Sequence, residues 1–161
     1  MKRLSHNARV LVTDGGRAIV FRNDGQVGKP DLRQFKVYAH DNPPSRELGT
    51  DKAPRVNESM GHRGSASEQT DYHQQAEDRF VKNIAQDMEA DLKAGEFAEL
   101  IVVAPPVALG VYRKAASPEL QKATLMEINK DLTKHAASEV AEIVVKALDR
   151  DNAAYGLKKK D

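Results

Sequence analysis

The chain has 161 residues, 40% of them hydrophobic and 30% charged, and a formal net charge of +1. Its length suits one domain, because domains most often have roughly 100 to 150 residues. The small net charge excludes a global field that draws the protein onto nucleic acid or membrane, so any such site must be local. The chain has no cysteine, which excludes disulfides, thiolate nucleophiles and zinc sites built on sulfur.

Three short strands are predicted in the first 39 residues. Residues 9–13 form a short, mostly β-branched apolar run and residues 18–21 form another, with Asp14, Gly15 and Gly16 between them. Asp-Gly and Gly-Gly tolerate the positive φ of tight hairpins, so these two strands are expected to pair antiparallel. The third strand is predicted from alternating polar and apolar side chains, the period of a half-buried strand, over Gln34, Phe35, Lys36, Val37, Tyr38 and Ala39.

Residues 41–71 show no periodicity and are rich in charge, glycine, proline and serine. A segment this long without secondary structure is either disordered or a functional loop. It is predicted to be a long exposed loop that a partner orders, because it has few apolar side chains to bury.

Helices and strands alternate in the rest of the chain. A helix is predicted to begin at Asp71 and end at Gly95, with Ala76, Phe80, Ile84, Met88 and Leu92 on its buried stripe. Residues 100–104 read as a strand buried on both faces, followed by a short helix after Pro105 and Pro106. A further helix start at Ser117, a more polar edge strand over 125–132, a helix over 133–148 and a flexible tail over 150–161 complete the prediction.

This order predicts one α/β domain over residues 1–161, with a mixed sheet of about five strands flanked by helices. The amino terminus lacks the apolar stretch of a signal peptide, and no apolar run is long enough to span a membrane. The chain is therefore expected to be cytoplasmic, without membrane insertion.

Several local patterns agree with one known family. They are Asp14, Ala18 and Phe21; Glu47, Leu48, Asp51 and Arg55; Phe80; residues 100–106; Leu109, Gly110 and Arg113; and Asp131, Leu132 and Thr133. Together they resemble the bacterial host-attachment protein family, a branch of the release-factor-like superfamily. The resemblance implies a fold like the middle domain of release factors, with a ribonuclease H-like core and a long loop before the main helix.

In release factors, that loop carries a Gly-Gly-Gln motif which acts at the peptidyl-tRNA ester. Here the nearest equivalent is Met60-Gly61-His62-Arg63-Gly64-Ser65, which has no adjacent glycines and no glutamine at that place, while Gln69 lies further along. Peptide release is therefore not predicted, whereas binding to tRNA or the ribosome remains an expectation. The resemblance thus implies a role in translation, through RNA binding or association with the ribosome, and a role in host attachment.

The candidate contact site lies in residues 55–67. Guanidinium groups and glycine-flanked amides suit phosphate or carboxylate, and the candidates are Arg55, Gly61, His62, Arg63, Gly64 and Ser65. His62 is a weak candidate for a catalytic base because histidine titrates near neutral pH. The alternative is a solvated surface loop.

Three other interpretations stay open. Arg113 is a secondary anion site or pairs with a sheet-end carboxylate such as Asp131. Asp14, Asp24 and Asp131 resemble a metal-binding carboxylate cluster, but turn roles explain the first two more simply, so neither a metal nor a cofactor is predicted. Three functions are open. The first is binding to RNA, tRNA or the ribosome without catalysis. The second is a cytoplasmic interaction with a protein partner that indirectly affects host attachment, and the third is hydrolysis by loop residues.

Overall fold

The computed structural model describes residues 1–39 and 65–160. Within them, β1 is central in a sheet of order β3-β2-β1-β4-β5. β1 pairs in parallel with β4, and β4 with β5, whereas β2 is antiparallel to β1 and β3. The predicted α/β class and mixed five-stranded sheet are confirmed. The strands are β1 (Arg9–Thr13), β2 (Arg17–Asn23), β3 (Leu32–Ala39), β4 (Leu100–Ala104) and β5 (Thr124–Asn129).

Helices cover both faces of the sheet. They are α1 (Ser65–Lys93), α2 (Pro106–Ala115), α3 (Pro118–Ala123) and α4 (Ala137–Lys160). One core layer joins β1, β2 and β4 to α1, α2 and α3, and includes Leu11, Ile84 and Tyr112. The opposite layer joins the sheet to α4 through residues such as Val12 and Val144. Burial on both faces explains why β1 and β4 are almost continuously apolar.

The hairpin between β1 and β2 forms as predicted, but for a different reason. Among the described residues, positive φ occurs at Asn7, Gly28 and Gly95, so neither glycine of the β1–β2 turn needs it. Instead, Asp14 Oδ1 accepts hydrogen bonds from the backbone N–H groups of Gly16 at 2.7 Å and Arg17 at 2.8 Å. An aspartate that caps its own turn replaces the expected left-handed glycine.

The alternation in β3 does not place its apolar residues inward. Phe35 and Val37 are 36% and 54% exposed, while Lys36 and Tyr38 are half-buried. The β2–β3 pairing shifts between Val20 and Phe21, so residue 35 is an extra residue in β3. A bulge of this kind reorients the side chains around it, and β3 is an edge strand that no second layer has to cover fully.

α1 ends as predicted but starts earlier. Gly95 has a φ of 79°, and the N–H of Glu96 closes the last turn on the carbonyl of Asp91 at 3.0 Å. The helix begins at Ser65, six residues before the predicted start at Asp71. Residues 65–75 have no apolar stripe, so periodicity could not reveal them as helix.

α4 begins later and ends later than the sequence indicated. The N–H and the hydroxyl of Thr133 both bind Asp131 Oδ1, which holds residues 131–133 in a turn before the helix. Helix also continues to Lys160, and the flexible tail predicted for residues 150–161 stays a prediction. Asn152 exchanges two hydrogen bonds, of 2.9 and 2.7 Å, with the backbone of Lys2 and so anchors these turns. Among the described helices, none is both long and apolar enough to cross a membrane.

Candidate functional site

Strands β1, β3, β4 and β5 run in one direction and end at the same edge of the sheet, here called the carboxyl edge. Ligands of α/β sheets commonly bind outside the carboxyl ends of strands. β3 ends there at Ala39, which pairs with Arg17 beside the β1–β2 turn. The next described residue is Ser65, the first of α1. Residues 40–64, which join Ala39 to Ser65, lie outside the described residues.

Most of the predicted contact residues fall in that segment. Arg55, Gly61, His62, Arg63 and Gly64 lie outside the described residues. Ser65 is the first residue of α1 rather than part of a loop, and its side chain is likewise not described. These residues stay predictions.

The turn after β1 meets the turn after β5. Thr133 is buried, and its hydroxyl donates to Asp131 Oδ1 at 2.8 Å and lies 3.4 Å from Asp14 Oδ2. The two aspartates are thus linked through one hydroxyl, although the sequence separates them widely. Asp24 is at the other end of β2 and pairs with Arg22 at 2.6 Å, so the three predicted aspartates do not converge. In the described ranges, no three His, Asp or Glu side chains could hold a metal ion.

A small cavity of about 130 Å³ lies at the carboxyl edge between the β1–β2 turn, α1 and the start of α2. Gly15 packs so closely on α1 that an added Cβ would meet Glu77 Cδ at 2.6 Å. Glu77 and Asp78 both line this cavity, and α2 starts beside it with Pro105 as a cap that makes no side-chain hydrogen bond. Two carboxylates make the cavity better suited to cationic or neutral groups than to phosphate.

The first turns of α1 extend past the sheet. Gln74 lines the cavity at the carboxyl edge, so the nine residues before it reach about 14 Å further at 1.5 Å per residue. Asp71–Gln75 are exposed, and Tyr72 has 70% of its surface in solvent. Val107 at the start of α2 is 62% exposed. The carboxyl edge therefore presents an acidic helix end with two exposed apolar side chains.

Arg113 lies in the last turn of α2, away from this edge. Its Nε is 2.6 Å from Glu127 Oε1 on β5, so its partner is Glu127 and not Asp131. Both line an open cleft of about 580 Å³ together with Lys2 and Asp151. Because Lys2 and Asp151 also form an ion pair, at 3.1 Å, the cleft has no uncompensated positive charge among these four groups.

Sequence reasoning missed the buried cation of the fold. Arg9 is 3% exposed, and its guanidinium lies 4.7 Å from the ring centre of Phe35 and 5.7 Å from that of Phe97. It donates hydrogen bonds to the carbonyls of Asn7 at 2.7 Å and Glu96 at 3.1 Å. Burial, and then the nearby charge of Arg22, lowers the pKa of Arg9. These partners lie far apart in the sequence, so no local signal marks the arginine as buried.

The comparison with protein families identifies one family for this chain. Residues 7–144 match the family described as bacterial archaeo-eukaryotic release factor family 12. A search of the curated proteins finds no match to this chain. Among solved structures, an archaeal translation termination factor, aRF1, is similar at 15% identity with a TM-score of 0.46. That similarity covers 94% of this chain and 39% of the archaeal protein.

Proposed function

This chain belongs to bacterial archaeo-eukaryotic release factor family 12, and we propose that it binds RNA, tRNA or the ribosome through residues 55–67, without catalysis. Its membership confirms the predicted release-factor-like relationship; the host-attachment role stays a prediction. One observation carries the proposal: the chain leaves the sheet at Ala39 and resumes at Ser65 at the carboxyl edge. The predicted contact residues belong to this connection.

The charge of residues 55–67 supports phosphate as the group that is bound, whereas residues 40–64 as a whole balance four basic side chains with four acidic ones. Residues 55–67 contain Arg55 and Arg63 against the single carboxylate of Glu58, a local net charge of +1. Guanidinium groups bind phosphate through paired, charge-assisted hydrogen bonds. Of the described residues at this edge, Glu77 and Asp78 on α1 repel phosphate, whereas the exposed Arg17 beside the β1–β2 turn and Lys130 after β5 attract it. Arg55 and Arg63 are therefore the phosphate contacts that we propose within residues 55–67.

The sequence lacks the motif with which release factors act at the peptidyl-tRNA ester. Residues 60–65 lack the adjacent glycines and the glutamine of the release-factor motif. Gln69 lies in the first turns of α1. A hydrolase that uses His62 is the alternative, and retained turnover after His62→Ala would remove His62 from it.

Binding to ribosomes and to tRNA tests the proposal, by co-sedimentation and by titration at two salt concentrations. Wild-type protein should bind at low salt and more weakly at high salt, because phosphate contacts release counterions. Arg55→Ala/Arg63→Ala should lower the slope of log affinity against log salt by roughly 1.4 to 1.8, the contribution of two phosphates. Arg3→Ala/Arg150→Ala removes the same charge from exposed positions elsewhere and should bind normally. No binding by the wild type at low salt overturns the proposal.

The carboxylates of Glu77 and Asp78 favour a second candidate, a basic protein partner bound at the carboxyl edge. Glu77→Gln/Asp78→Asn distinguishes the two, and the asparagine keeps an acceptor for the amide of Gln74, which donates to Asp78 at 2.8 Å. If RNA binds here, removing two negative charges should strengthen binding, most at low salt. If a basic protein binds, the same variant should weaken its capture.

The interaction is proposed to take place in the cytoplasm. An indirect effect on host attachment through a protein partner is consistent with this location. Cell fractionation tests the proposed location. Recovery of the native protein mainly from the cell surface would contradict both the cytoplasmic location and the indirect effect on attachment.

A further inference from the structure

The amino-terminal part of α1 makes few contacts with the rest of the domain. Among the α1 side chains that the structure describes, which begin at Asp71, the first that is buried in the core is Phe80. Residues 71–75 are all exposed, and Ala76 and Asp78 are only half-buried. Helix that lacks tertiary packing is marginal in water, so the stability of these turns depends on local sequence.

That local sequence contains two start signals instead of one. Ser65 is followed three residues later by Glu68, and Asp71 is followed three residues later by Gln74. A serine or aspartate with Glu or Gln at the third following position is typical of a helix start, because the two side chains cap each other's backbone N–H groups. Between the two signals, serine and threonine are weaker helix formers than alanine or glutamate.

Gln74 has a different partner in each arrangement. In the structure, its amide donates to Asp78 Oδ1 one turn ahead, at 2.8 Å. In a helix that starts at Asp71, the same side chain would instead accept from the N–H of Asp71. The side chain of Gln74 therefore makes a hydrogen bond in either helix. It adds little to the free-energy difference between the long and the short helix.

We infer that α1 has two alternative amino termini, at Ser65 and at Asp71, and that residues 65–70 exchange between helix and the connection to β3. Six residues span about 9 Å as helix and about 20 Å when extended. The shorter helix lengthens the connection that departs from the carboxyl edge by up to about 11 Å. This device does not depend on what that connection binds.

Chemical shifts and amide exchange of the isotopically labelled full chain test the inference. In the wild type, residues 66–70 should show Cα shifts between helix and coil, and exchange faster than residues 80–93. Asp71→Ala removes the second cap and raises helix propensity, so it should raise the ratio of long to short helix about fivefold or more. Asp71→Asn keeps the cap without the charge and should leave the ratio unchanged.

A proline variant drives the equilibrium the other way. Thr70→Pro is excluded from the interior of the long helix but is compatible with the residue before a helix start. It should abolish helical shifts over 65–69 and leave residues 80–93 as they are. The inference fails if residues 66–70 are fully helical or fully coil in the wild type, or if their shifts do not respond to Asp71→Ala. Loss of helix beyond residue 76 in Thr70→Pro also contradicts it.

Discussion

The two edges of the sheet differ in how firmly they are held. At the amino edge, where β1, β4 and β5 begin, the buried Asn23 donates to the carbonyls of Leu4 and Ser5 and accepts from the N–H groups of Gly25 and Asp31. At the carboxyl edge, the links include two buried hydroxyls, those of Thr13 and Thr133, and a close approach of Gly15 to α1. One buried side chain therefore makes four hydrogen bonds at the amino edge, and we infer that this edge is the more firmly held. The carboxyl edge is then available for contact, and ligands of α/β sheets commonly bind there.

Removing the side chain that joins the amino edge should have the largest effect. Asn23→Ala leaves two N–H groups and two carbonyls without their partner, and should lower the free energy of unfolding by roughly 3 kcal/mol. Thr133→Val at the carboxyl edge removes one hydrogen bond to the exposed Asp131 and should cost about 1 kcal/mol. Urea unfolding measures the free energy of unfolding of both variants. Equal losses in the two variants would contradict the difference between the two edges.

Two glycines sharpen the same comparison. A Cβ on Gly25, at the amino edge, would lie 2.1 Å from the backbone oxygen of Lys29, so Gly25→Ala must move backbone and should cost roughly 2 kcal/mol. A Cβ on Gly15 would meet only the flexible end of Glu77, so Gly15→Ala should cost less than about 1 kcal/mol. Thermal unfolding of the two variants compares them directly. A more damaging Gly15→Ala would contradict this ranking.

Alkaline pH should weaken the amino edge through Tyr112. Burial raises the pKa of Tyr112 to about 12, and its hydroxyl lies 3.1 Å from that of Thr124, the first residue of β5. A tyrosine in the unfolded chain ionises near its ordinary pKa of 10.0, so the unfolded chain binds fewer protons between pH 10 and about 12. Stability should fall across that window by up to about 2 to 3 kcal/mol. Tyr112→Phe should flatten the fall, and an unchanged slope in that variant would assign it to other groups.

The parts of the fold that depend on local sequence pattern were predicted correctly. The stripe through Phe80, Ile84 and Met88 and the strand 100–104 were confirmed, because burial repeats with the period of each element. The inward face of β3 was not predictable, since a one-residue bulge at Phe35 is set by pairing with β2. The early start of α1 was missed because its extra turns are polar on every side.

The site was less predictable than the fold. Pairing of Arg113 with Glu127, and of Thr133 with Asp14 and Asp131, depends on which turns the sheet brings together, and spacing does not encode that. The burial of Arg9 likewise requires Phe35 and Phe97 from distant parts of the chain. Glycines and arginines in residues 55–67 could be recognised as a contact pattern, but their arrangement could not.

Photo-crosslinking at the two edges tests the central claim, that the carboxyl edge faces RNA, most directly. The chain offers a matched pair, Tyr72 on the projecting turns of α1 and Tyr155 near the far end of α4, which are 70% and 61% exposed. Benzoylphenylalanine in place of Tyr72 should crosslink to tRNA or ribosomal RNA in cells, and in place of Tyr155 it should not. Crosslinks from position 155 alone, or crosslinks from position 72 to protein only, would contradict the account.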